Sequence, residues 1–164
     1  MKVMKRILSL VVVLALVFSV SGCSKIKDKM AEKAADTILG PNVDVKDGEV
    51  EIKGDDGSSL KTGSDLEWPK DGLGDLPKLK GRVETVMNIG TGQLIGLKEV
   101  DRDDYSEYVE KLKGMGYEQT FAMQDENTLS FMGSKEETKE TVSVSYTVAD
   151  EYVSITYNKE EPQE

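Results

Sequence analysis

The chain predicts an α+β fold: a mainly antiparallel sheet covered by one helix and preceded by a small β-meander. Three observations predict it. Apolar residues alternate at period two through Val142-Val144-Tyr146-Val148 and again through Val153-Ile155-Tyr157, so each run has one buried and one wet face. A single stretch, Tyr105-Tyr108-Val109-Leu112-Met115, has helical spacing. Short Gly-, Asp- and Asn-bearing turns separate most runs, which suits hairpins and not the long crossovers that parallel strands need.

Taken in order, residues 1–22 stand apart. Lys2, Lys5 and Arg6 precede Ile7–Val20, an almost wholly apolar run of 14 residues. A bilayer-spanning helix needs about 20 residues, so the segment reads as a secretory signal peptide. Val20-Ser21-Gly22-Cys23 places an aliphatic residue and two small ones before a cysteine, and resembles the lipobox of bacterial lipoproteins. The expectation is cleavage before Cys23 and lipidation of its sulfur. The resemblance to lipoproteins implies a diacylglycerol thioether there, with room for an added N-acyl chain such as palmitate. Cys23 is the chain's one cysteine, so no intramolecular disulfide can form.

Residues 23–41 form the expected tether. Ile26, Met30, Ala34 and Ile38 recur every four residues and end at Gly40-Pro41, a short amphipathic helix serving as spacer. Residues 42–82 are expected to be a polar β-meander followed by a Trp-Pro/Leu-Pro segment. Asp47-Gly48 lies between the alternating runs Val43-Val45 and Val50-Ile52, a hairpin signal. Gly54-Asp55-Asp56-Gly57 reads as a second turn, with Leu60 in a weak third strand. Trp68-Pro69 and Leu76-Pro77 argue against regular structure. Trp68, the sole tryptophan, is expected to fasten this segment to the core, with ligand stacking as its other use.

Residues 83–158 carry the expected α+β domain. Val83–Ile89 and Gln93–Val100 read as strands about a turn at Gly90-Thr91-Gly92. The helix follows, with Asp104 as N-cap, Glu107 three residues on, and Gly116 as a left-handed stop. Tyr117–Met123 and Thr128–Met132 flank a turn at Asp125-Glu126-Asn127, and the two alternating strands close the domain. The order is β-β-α-β-β-β-β. A charged tail is expected from 159 to 164, with Asn158 at its start.

Composition removes many functions. Loss of residues 1–22 takes three of the 21 basic residues and no acidic one, leaving 18 against 31 and a formal charge of −13. Such a surface repels nucleic acid and gives no basic patch for anionic lipid. The chain has no histidine, which removes most general-base and zinc chemistry. No nucleophile-elbow, P-loop or calcium-loop pattern occurs, and no cofactor is expected. Asp101, Asp103 and Asp104 are explained by a helix start.

From residue 43 onward the chain resembles a family of small lipoproteins of unknown function from Gram-positive, clostridia-like bacteria. The resemblance rests on the Val-Asp-Gly meander, Leu66-Glu67-Trp68-Pro69-Lys70 with Leu76-Pro77 behind it, Val86-Met87-Asn88, the Tyr105–Gly116 helix and the closing Val-Ser-Val-Ser-Tyr strand. It implies an extracytoplasmic setting on the cell membrane; the family has no established activity, so it carries over no catalytic residues. The expected function is a non-enzymatic, lipid-anchored module of the cell envelope that binds a protein, peptide or wall component. The alternatives are a carboxylate-dependent envelope hydrolase and a small-ligand-binding protein using Trp68.

Overall fold

The computed structural model of the protein describes residues 42–160. Cys23, the expected signal peptide, the expected 23–41 tether and residues 161–164 lie outside them. Nine strands and one α-helix follow in order: β1 Val43–Lys46, β2 Glu49–Lys53, β3 Ser59–Leu66, β4 Arg82–Asn88, β5 Gly92–Lys98, α1 Arg102–Gly114, β6 Glu118–Gln124, β7 Thr128–Lys135, β8 Glu140–Thr147 and β9 Tyr152–Lys159. The strands make one sheet of order β1-β2-β3-β4-β5-β9-β8-β7-β6. The compact unit that contains α1 begins at Gly48. Asp47 and Gly48 both have positive φ, 51° and 84°, as the Asp-Gly turn demands.

This corrects the expected fold class. The meander does not precede the sheet as a separate small element; the strands form a single nine-stranded antiparallel sheet. The joint is β3, which spans eight residues and pairs with β4 from Ser59↔Asn88 to Leu66↔Val83, with a bulge between Thr62 and Leu66. Its sequence, SLKTGSDL, reads as weak because its charges and glycine mask the pairing. Yet without β3 the β4 edge would present unpaired N–H and C=O groups over seven residues.

One face of the sheet carries the core in cross-strand rows. Val86, Ile95, Ile155, Val144, Phe131 and Ala122 succeed one another across β4, β5, β9, β8, β7 and β6. A parallel row runs Val83, Leu97, Val153, Tyr146, Leu129 and Gln124. Two covers close this face. Helix α1 packs on β7 and β8, with Tyr105 stacked on Tyr146 at a ring separation of 5.5 Å. The loop between β3 and β4 supplies the second cover by burying Leu73, Leu76 and Leu79. The single covering helix is therefore only half of the roof. The prolines of that loop keep it irregular, and its leucines make it part of the core.

Local expectations shift in detail. The helix starts at Arg102 behind Asp101, whose side chain makes no capping hydrogen bond. Asp104 instead lies in the first turn, where the helix dipole favours a carboxylate, and pairs with Lys80 at 3.2 Å. Gly116 has φ 91°, as the expected stop requires. Strand β9 runs through Asn158 to Lys159, so the strand continues into what composition marked as tail. On the opposite face one row across β5, β9, β8 and β7 is small, Gly96, Ser154, Ser145 and Ser130.

Candidate interaction site

The two rows of the core end on β6, and there the roof stops short. Helix α1 covers β7 and β8 but leaves Ala122 and Gln124 exposed beside it. All seven residues of β6 are exposed. Its sequence, EQTFAMQ, has one charge, Glu118, and neither lysine nor proline, the residues that natural sheets use to guard an edge. Only a bulge between Gln119 and Phe121 interrupts it. The edge thus offers backbone donors and acceptors to a further strand.

Both sides of this edge carry accessible apolar surface. On the face away from the helix, Phe121 is 51% exposed, Met123 43% and Met132 43%. Phe121 sits opposite Met132 in the β6–β7 register, and Met123 opposite Ser130. These are three of the four large apolar side chains left exposed among the described residues. Their clustering at one edge is informative where scattered exposure would not be. On the helix side a groove of about 270 Å³ runs between α1 and β6–β7. Val109, Leu129 and Phe131 form its apolar floor, and Arg102 and Lys113 stand over it; no carboxylate lines it. Lys113 lies 5.9 Å from the Phe131 ring centre and pairs with the exposed Glu110 at 2.8 Å.

A second cleft of about 360 Å³ lies between β2, β3 and the loop that follows, lined by Glu49, Lys61, Asp65, Leu66, Glu67, Pro69 and Val86. Lys61 pairs with Glu49 at 2.5 Å, and that hydrogen bond raises the lysine pKa. Trp68 lines neither cleft; it is half-buried and packed against the core.

Among the described residues Glu140 is the one buried carboxylate. Burial pushes its pKa up, but hydrogen bonds from Lys159 at 3.2 Å and Tyr117 at 3.1 Å, with the charge of Lys135, outweigh that and hold it below the ordinary glutamate value. Lys135 in turn lies 4.3 Å from the Tyr117 ring centre. A carboxylate held ionised by two cations and a phenol fastens the end of the sheet; a general acid needs the opposite shift. Asp56 also moves down, through hydrogen bonds from the Ser58 hydroxyl and backbone. Among the described residues no cluster of acidic or thiol groups could hold a metal ion, and no helix is long and apolar enough to cross a membrane.

The sequence reading missed β6 as a site. It identified the strand, as Tyr117–Met123, but assigned its side chains no role. The available signal was the triplet Phe121-Ala122-Met123, which breaks period-two alternation and leaves apolar side chains on both faces. No family model, curated protein or solved structure matches the chain.

Proposed function

We propose that this protein is a non-enzymatic binding module, held by lipid on Cys23 at the extracytoplasmic face of the cell membrane, whose partner-binding element is the free edge of β6. The observation that carries the reading is the coincidence, on one strand, of an unguarded backbone edge, an exposed Phe121–Met123–Met132 patch and an adjoining groove. Strand addition of this kind draws affinity from main-chain hydrogen bonds and selectivity from side chains on alternate faces. The basic, apolar and small-residue order of positions 1–23 supports the anchored setting, as does the resemblance to small envelope lipoproteins.

Photo-cross-linking tests the assignment. A photoreactive side chain at Met123, in the full chain expressed in its membrane, is expected to give one discrete adduct; the same group at Lys53, exposed on β2 and far from β6 in the sheet order, is expected to give none. Equal labelling from both positions contradicts the reading.

A further inference from the structure

The binding reading leaves open which chemistry the added strand presents, and the two sides of β6 answer differently. Above the helix-side groove stand Arg102 and Lys113, with no carboxylate among the lining groups, in a chain with 31 acidic residues. On the other side the exposed large side chains are Phe121, Met123 and Met132, all apolar, with Glu118 on the same face only at the strand's start. A strand laid along β6 points successive side chains to opposite faces. Its even positions then meet two cations and an apolar floor, and its odd positions meet an uncharged apolar patch.

We infer that the partner of β6 is an extended peptide segment in which carboxylates and apolar side chains alternate, the carboxylates facing Arg102 and Lys113. This rests on the proposed binding function and narrows it. Net repulsion between an acidic body and an acidic ligand makes the local reversal of sign informative: away from this groove such a peptide has little to hold it. Glu118 and Asp125 lie near the two ends of β6, so the carboxylates belong in the middle of the segment. Glu110, paired with Lys113, must yield that lysine to the ligand. The exchange of one exposed ion pair for another costs little.

The test uses the lipidated protein in detergent and two pools of fluorescent decapeptides. One alternates Asp or Glu with Val, Ile or Phe; the other replaces each acid by Lys. Fluorescence anisotropy at physiological ionic strength, where the net charge is screened beyond about 8 Å, is expected to give the acidic pool about tenfold higher affinity, the sum of two exposed pairs. The doubly substituted Arg102→Glu, Lys113→Glu protein is expected to reverse that order. Its circular dichroism, and the milder Arg102→Gln, Lys113→Gln pair, which is expected to abolish the preference, separate loss of selectivity from loss of fold. Equal binding of both pools overturns the charge inference and leaves the β6 reading standing. Failure of both pools overturns the two together, and so does self-association that is lost in Phe121→Lys, since the edge is then filled by a second copy.

Discussion

The Tyr117 hydroxyl donates a 3.1 Å hydrogen bond to Glu140 Oε2 across the sheet's end, and both side chains are buried. Tyr117 opens the segment leading into β6, and Glu140 opens β8, so this bond ties the exposed edge to the sheet's interior. Tyr117→Phe is expected to cost about 1.5–3 kcal/mol, the worth of a hydrogen bond to a charged group, read by urea unfolding near neutral pH.

The same bond sets an acid dependence. The folded state holds the Glu140 pKa below its ordinary value. Its stabilisation is therefore complete above the ordinary glutamate range and is lost as pH falls through the folded pKa. Removing the Tyr117 hydroxyl raises that pKa, so the acid-unfolding midpoint of Tyr117→Phe is expected at higher pH than that of the parent. Unshifted midpoints would show that Glu140 is held by its lysines alone.

At high pH the sign reverses in the tyrosines. All six have raised pKa values, and burial pushes Tyr105 and Tyr157 up to about 12. The unfolded chain ionises near pH 10, so stability is whole below that and falls as pH climbs toward the folded values. Phenolate absorbance is expected to rise together with loss of the sheet's circular dichroism above about pH 10. Phenolate formation with free-tyrosine midpoints in a still-folded protein contradicts the burial of Tyr105 and Tyr108 in the core.

The continuity of the sheet through β3 predicts the effect of cutting it. A chain beginning at Gly81 loses the partner of β4, along with Leu66, Leu73, Leu76 and Leu79, all buried in the core. It is expected to aggregate through its bare edge, whereas a chain beginning at Gly48 keeps the unit whole. Sedimentation velocity distinguishes them, and a monodisperse, folded 81–164 fragment contradicts the nine-stranded description.

Phe121→Ser and Met123→Ser are expected to change stability by no more than about 0.5 kcal/mol, because exposed positions contribute little, while weakening peptide binding. Loss of binding accompanied by loss of fold would return β6 to a purely structural role. For the anchor, Cys23→Ser is expected to move the protein from the membrane pellet to the medium, checked by fractionation and by mass spectrometry of the processed terminus.

Much of the fold could be read from residues. The alternation in β8 and β9 and the stripe on α1 follow directly from burial on one face, and the structure places Val142, Val144, Val153 and Ile155 at 1% exposure or less. What escaped was long-range. SLKTGSDL carries too few apolar residues to signal an eight-residue strand, and only its pairing with β4 makes it one. Leu73, Leu76 and Leu79 have neither period, so their role as roof depends on a loop path that local pattern does not encode. The candidate site was hidden for a related reason: whether a strand is an edge, and whether the helix reaches it, are properties of sheet order. Nothing in EQTFAMQ says that β9, and not β6, inserts beside β5. The lipidation proposed for Cys23 is the reverse case, a reading that rests wholly on local sequence.

Residue-resolved hydrogen exchange across Glu118–Gln124 gives the most direct reading of whether the free edge is where partners attach. Compared between native membranes and the purified lipidated protein in detergent, slowing is expected on β6 in the membranes, with β7 and β8 equally protected in both. Identical exchange along β6 in the two states, with slowing on another surface or on none, contradicts the account.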